Sequence, residues 1–203
     1  MKFICIGRNY ADHIHELGHQ KPEKPLFFLK PDSAVLQRNR PFFYPDFSKD
    51  LHYEVELLVK INKLGKCIQP KFAHTYYQEI GLGIDFTARD IQKECIEKGL
   101  PWEMAKAFDN SAVLGKFFDK SYFPDLNNIN FSLFKNEEKV QEGNSGNMIF
   151  HIDYIISYVS QFMTLKIGDI IFTGTPEGVG PVHINDRLEG FIENEKVIDF
   201  RIK

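Results

Sequence analysis

Residues 52–61 alternate between two classes of side chain, and this constrains the fold more than any other stretch. Tyr53, Val55, Leu57, Val59 and Ile61 fall on one face of an extended strand, with His52, Glu54, Glu56 and Lys60 on the other. A second strand is expected over 80–86, where Ile80, Leu82, Ile84 and Phe86 alternate with Gly81, Gly83 and Asp85. Glycines at that spacing mark a place where something approaches the backbone closely. Two strands of this kind call for a sheet with at least one buried face, and Asp85 then stands in a segment with little else to keep a charge in water.

Around this pair the pattern is strand-rich. Lys2 to Ile6, Leu26 to Leu29 and Asp169 to Thr173 read as short strands, and Asn130 to Phe134 with Lys139 to Gln141 as a hairpin across a polar turn. Tyr10 to Leu17 reads as a short helix stopped by Gly18. Thr87 with Asp90 resembles a capping box opening a helix that ends near Gly99. Residues 152–163 carry Ile152, Ile155, Ile156, Val159, Phe162 and Met163 at helical spacing, a core stripe. Segments 19–25 and 38–50 read as loops. Few helices are long enough for crossovers, so a mostly β (α+β) fold with short peripheral helices is expected rather than a doubly wound sheet. A length of 203 residues, with no linker, repeat or low-complexity tract, fits one domain over 1–203.

Net charge is −3, which leaves no footprint for nucleic acid or an anionic membrane surface. No run of about 18 apolar residues is present to span a membrane. Cys5, Cys67 and Cys95 are widely spaced and odd in number, so they read as free thiols of a reducing compartment. With no leader-like start, the cytoplasm is the expected location.

Glu54 and Glu56 project from one face of their strand, ~7 Å apart along it, and repel unless water or a cation intervenes. With Asp85 they offer three hard oxygen donors and no thiolate, a set suited to Mg²⁺ or Mn²⁺ rather than zinc. The solvated face of a strand and a carboxylate serving a helix N-terminus are the plainer readings of the same residues. His13 and Glu16 share a face of the first helix, and alone they read as a surface pair. Gly174-Thr175-Pro176-Glu177-Gly178-Val179-Gly180 suggests a phosphate loop but lacks its Gly-Lys-Ser/Thr ending.

Five blocks resemble motifs of the fumarylacetoacetate hydrolase superfamily: Gly-Arg-Asn-Tyr-Ala-Asp-His at 7–13, Leu-His-Tyr-Glu-Val-Glu-Leu at 51–57, Asp-Phe-Thr-Ala-Arg-Asp-Ile-Gln at 85–92, Lys-Gly-Leu-Pro-Trp-Glu-Met-Ala-Lys at 98–106 and Gly-Asp-Ile-Ile-Phe-Thr-Gly-Thr-Pro at 168–176. The resemblance spans nearly the whole chain in matching order. It is closest to the compact acylpyruvase and oxaloacetate decarboxylase branch, since the Gly7 block is reached within a few residues. It implies a mixed β-roll or sandwich, usually a homodimer, with Mg²⁺ (or Mn²⁺) on Glu54, Glu56 and Asp85. By the same resemblance His13 is the general base oriented by Glu16, and Lys106 stabilises developing negative charge. Arg89, Gln92 and Thr175 face a 2-oxo or 2,4-dioxo acid. Acylpyruvate hydrolysis to pyruvate and a carboxylic acid is the implied reaction, with oxaloacetate decarboxylation on the same site. Isomerisation of a 2-hydroxyhepta-2,4-diene-1,7-dioate type of compound is an alternative, and a non-catalytic metal and dicarboxylate binder is the rival from another class.

Overall fold

The computed structural model describes residues 1–16, 18, 20–36 and 40–203. Leu17, His19, Arg38 and Asn39, which fall within the expected first helix end and loops, lie outside the described residues. In chain order the elements are β1 (Phe3–Gly7), α1 (Ala11–Glu16), β2 (Leu26–Lys30), β3 (Val35–Leu36), β4 (Leu51–Tyr53), β5 (Val55–Ile61), α2 (Pro70–Ala73), β6 (Tyr77–Asp85), β7 (Thr87–Ala88), α3 (Arg89–Lys98) and α4 (Glu103–Lys106). There follow β8 (Ala112–Asp119), β9 (Asn130–Lys135), β10 (Glu138–Asn144), α5 (Ile152–Phe162), β11 (Ile170–Phe172), β12 (Gly180–Pro181), β13 (Arg187–Ile192) and β14 (Glu195–Arg201).

A mixed seven-stranded sheet runs β2-β1-β11-β5-β6-β8-β3, antiparallel except where β1 pairs β11 and β3 pairs β8. Its central strands are covered on both faces, so β5 and β6 are buried almost throughout. That coverage explains the glycines of β6. A Cβ at Gly83 would lie 2.6 Å from the Val113 carbonyl oxygen and 2.8 Å from the Leu58 side chain, so β8 and β5 close over it from two sides. A four-stranded antiparallel sheet, β10-β9-β13-β14, carries the expected hairpin, and its turn residues Asn136 and Glu137 both take positive φ (52° and 72°) as a tight primed turn requires. The architecture is the mostly β roll with short peripheral helices that the sequence implies.

Three local expectations are corrected. The 52–61 strand is broken at Glu54, because β4 joins β12 and β7 in a small separate sheet while β5 joins β6 and β11. At the break the Val55 N–H donates to Gln141 Oε1 (2.9 Å), and the Glu54 carbonyl accepts from the Asp85 N–H (2.8 Å). Thr87 does not cap α3: it lies in β7, the cap position falls on Ala88 with no side-chain bond, and the Arg89 N–H is satisfied by the Asp50 carbonyl at 2.7 Å. Asp90 instead receives Ser48 Oγ (2.7 Å) and the Lys49 N–H (2.9 Å). In α5, Ile152, Ile155, Ile156 and Val159 face the core as expected, whereas Phe162 is exposed. The helix ends of α1 and α3 follow the sequence reading, with Gly18 and Gly99 in the left-handed region (φ 66° and 65°).

Candidate metal and acid–base site

The break at Glu54 and the end of β6 at Asp85 bring three carboxylates to one point. Glu54, Glu56 and Asp85 are 5%, 2% and 1% exposed, and one oxygen from each lies within 4.8 Å of the others. The solvated-strand reading of Glu54 and Glu56 therefore fails here: this face of β4–β5 looks into a cavity.

Three cations answer the three carboxylates. Lys106, at the end of α4, is buried and sends its ammonium to Glu54 Oε2 (2.7 Å), Asp85 Oδ2 (3.0 Å) and Thr87 Oγ1 (2.5 Å). Arg89 reaches Glu54 Oε1 (2.5 Å) and the Gln92 side-chain oxygen (2.6 Å), so the pair one helical turn apart does share a face. Lys30, wholly buried at the end of β2, stands 2.7 Å from Asp85 Oδ1 and also donates to Ser111 Oγ (3.0 Å) and the Lys106 carbonyl. Sequence reasoning missed Lys30. A lysine before Pro31 at a strand end gives no periodic signal of burial, and its role appears only once β2 is laid against α4.

These neighbours divide the carboxylates electrostatically. Burial pushes the Glu54 carboxyl up, but Lys106 and Arg89, with His13 beyond, hold it below the ordinary carboxylate range. Glu56 has no cation of its own. Burial and the nearby Asp85 and Glu54 charges raise its carboxyl well above the ordinary value, with Lys106 and the Gly174 N–H (2.7 Å) opposing. Burial lowers the Lys106 ammonium, yet Asp85 and Glu54 more than compensate and leave it raised, so this lysine stays charged. The Gly174 amide can approach Glu56 because φ there is 98° and a Cβ would lie 2.7 Å from Asn9 Cβ.

The centre fits a hard divalent ion. Its donors are all oxygens, Glu56 lacks a compensating cation, and Asp85 Oδ1 is buried with no hydrogen bond of acceptable angle despite the nearby Lys30.

On the other wall α1 supplies His13, buried, with Nδ1 3.1 Å from Glu16 Oε2. The second oxygen of Glu16 accepts the Gly178 N–H at 3.1 Å, tying α1 to the glycine-rich turn. His15, the adjacent histidine, is exposed and faces away. Thr175 is buried at the cavity wall, where its hydroxyl accepts from Gln141 Nε2 (2.9 Å); Gln141, also missed from sequence, thus joins the break in β4–β5 to this turn. His13, Glu54, Glu56, Asp85, Arg89, Gln92, Lys106 and Thr175 all line one cavity of ≈ 40 Å³, enough for more than one water-sized group. Its remaining wall comes from Ile6, Gly7, Arg8, Phe28, Ile96 and Trp102.

Residues 2–203 match the family model described as fumarylacetoacetate (FAA) hydrolase C-terminal. The chain belongs to that family. Among its members, the mitochondrial oxaloacetate tautomerase FAHD1 of Bos taurus is 44% identical over 200 residues, covering 98% of this chain and 90% of that protein. The oxaloacetate tautomerase YcgM of Escherichia coli (strain K12) is 40% identical over 188 residues, 92% of this chain and 86% of that protein. The solved structure of fumarylpyruvate hydrolase from Pseudomonas aeruginosa in complex with Mn²⁺ and pyruvate superposes with a TM-score of 0.94 at 36% identity over 100% of this chain and 89% of that one.

Proposed function

We propose that this chain is a divalent-metal enzyme that forms and stabilises the enolate of small 2-oxo acids. The observation that carries the reading is the convergence on one cavity of a three-carboxylate centre, a buried lysine paired with two of those carboxylates, and a histidine held by a carboxylate behind it. Two reactions draw on that chemistry. Keto–enol interconversion of oxaloacetate is favoured by the likeness to the two oxaloacetate tautomerases, and decarboxylation by the likeness to the mitochondrial oxaloacetate decarboxylase of Dictyostelium discoideum, 43% identical over 182 residues. Hydrolysis of acylpyruvates is favoured by the His13–Glu16 pair, which suits activation of water, and by the fumarylpyruvate hydrolase likeness.

Glu54, Glu56 and Asp85 would hold Mg²⁺ or Mn²⁺, which when bound supplies Lewis-acid polarisation and a chelating template for a 2-oxo carboxylate. With its Nδ1 proton directed to Glu16, His13 presents Nε2 as base, and Glu16 stabilises the imidazolium that results. In tautomerisation His13 takes the proton from C3 and returns it to the 2-oxo oxygen. In hydrolysis it takes a proton from water, whose oxygen bonds to C4; the C3–C4 electron pair passes into the pyruvate enolate, which then picks up a proton at C3. Lys106 keeps its own proton in both cases and offsets charge growing on oxygen. Arg89, whose Nε is buried without a hydrogen-bond partner, and Gln92 would meet the substrate carboxylate, and the Thr175 wall would confine it. A homodimer and a cytoplasmic location belong to the same reading, the latter resting on three free thiols, although the 44% identical relative of Bos taurus is mitochondrial.

Oxaloacetate, acetylpyruvate and fumarylpyruvate, each assayed with and without Mg²⁺ or Mn²⁺, test the proposal. Metal-dependent conversion of at least one supports it, and no conversion of any refutes it. His13→Ala separates the reactions that need a base from the one that does not: tautomerisation and water-dependent cleavage are each expected to fall by about 100-fold or more, with decarboxylation of oxaloacetate less affected. Equal losses in all three would assign His13 to protonation of the shared enolate.

A further inference from the structure

The cations of the cavity are unequally occupied. Lys106 is paired with Glu54 and Asp85 and Arg89 with Glu54, while Lys30, outside the cavity lining, is paired with Asp85. Arg8 also lines the cavity, half-buried, and it has no ion-pair or side-chain hydrogen-bond partner among the described residues. Besides Glu54, Glu56 and Asp85, the cavity lining holds no carboxylate, and Ile6, Phe28, Ile96 and Trp102 in it are apolar.

The backbone holds Arg8 where it is at a cost. Its φ of 58° lies in the left-handed region that side chains other than Gly, Asn and Asp seldom adopt. Asn9 enforces that geometry from the next position. Wholly buried, it donates through Nδ2 to the Phe150 and Thr173 carbonyls (3.0 and 2.7 Å) and accepts the Phe150 N–H at Oδ1 (2.7 Å). The turn between β1 and α1 is therefore clamped to the strand end that carries Gly174, and Arg8 is presented to the cavity by a fixed backbone.

The structure assigns Arg8 the recognition of a second, distal carboxylate, making the site selective for dicarboxylic 2-oxo acids over monocarboxylic ones. This deepens the functional reading above and rests on it. With the 2-oxo carboxylate end assigned to the carboxylate-and-lysine centre, Arg8 is a cavity-lining cation left without a partner of its own among the described residues, and a second carboxylate would pair with it. An uncharged acyl chain gains only the apolar contacts; a terminal carboxylate also gains a guanidinium fork whose donors are otherwise unused.

Arg8→Asn removes the fork while keeping a residue tolerant of positive φ, and Arg8→Lys restores charge without the fork. The ratio of kcat/KM for oxaloacetate to that for acetylpyruvate is expected to fall roughly 10- to 100-fold in Arg8→Asn, the loss of a charge-assisted hydrogen bond, with partial recovery in Arg8→Lys. A fall of equal size on both substrates would overturn the assignment. In parallel, calorimetric titration with Mg²⁺ present compares 2-oxoglutarate with 2-oxobutyrate, which share the 2-oxo carboxylate and differ in the distal one. Selective loss of 2-oxoglutarate affinity in Arg8→Asn supports the assignment even if wild-type protein turns over none of the substrates, an outcome that removes the enzymatic reading alone. No preference for 2-oxoglutarate in the wild type overturns it.

Discussion

Two clusters of opposite charges in this molecule have almost the same distances and opposite surroundings. On β13–β14, Arg187 meets Asp199 at 2.7 Å, and Lys196 meets Glu189 at 3.0 Å and Asp199 at 3.1 Å, with cation side chains 36–43% exposed. In the cavity, Lys106 meets Glu54 at 2.7 Å and Asp85 at 3.0 Å, and Lys30 meets Asp85 at 2.7 Å, with every one of these side chains at most 7% exposed. At the surface, water and salt screen the attraction and little stability results. In the cavity each attraction is stronger, but taking the ions out of water offsets it, and apolar residues of similar size would serve folding as well. Stability therefore gives a reason for the first cluster to be tolerated and none for the second to exist. The second makes sense as chemistry.

The largest effect that would break this comparison is expected from Lys106→Met. Breaking a buried network from one side leaves Glu54 and Asp85 facing each other, at a cost of about 3–5 kcal/mol readable by denaturant titration of the metal-free protein. Turnover should fall by at least about 100-fold in kcat. Retention of full stability would mean that the buried charges are not coupled as the distances indicate.

Glu56→Gln should act the other way on stability. The amide relieves the charge that no cation balances, so the metal-free protein is at least as stable as wild type, while Mg²⁺ affinity by calorimetry drops by about 100-fold or more, beyond the 10–100-fold typical of outer-sphere changes. A pH series sharpens the point. Because the folded-state Glu56 carboxyl is raised, its neutral form is favoured by folding, and stability of the metal-free protein declines as pH rises through that raised value. Mg²⁺ competes with the same proton, so its affinity should climb over the same range and its binding should release protons.

The smallest effect belongs to the surface. Asp199 is held down to about 2 by the hydrogen bonds from Arg187, against burial, with Lys196 adding to the effect. Its contribution is present above the ordinary carboxylate range and is lost as pH falls toward about 2. Asp199→Asn should move Tm at neutral pH by no more than about 2 °C. A larger shift would show that exposure does not separate the two clusters.

Strand periodicity, a local signal, put Glu54 and Glu56 two residues apart on one face and singled out Asp85 in the glycine-spaced stretch 80–86; the family resemblance made them a ligand set. What periodicity did not convey was the break at Glu54, which depends on Gln141 arriving from a distant hairpin. Lys30 was hidden for the same reason, since its ion pair spans 55 positions of sequence and no short-range pattern encodes it. Thr87 misled because Thr-x-x-Asp before an amphipathic run has the spacing of a capping box, yet tertiary contacts gave its hydroxyl to Lys106. The His13–Glu16 pair lay within one helical turn and could be seen at once. That both residues serve the cavity depended on the turn at Gly178.

The most direct test of the central claim is oxaloacetate enolisation followed spectroscopically on chelator-treated protein, then after addition of Mg²⁺ or Mn²⁺, in wild type and Glu56→Gln. A metal centre driving enolate chemistry predicts loss of activity on chelation, full recovery with either ion in the wild type, and little recovery in Glu56→Gln. Conversion that survives chelation, or that returns equally in Glu56→Gln, would contradict it.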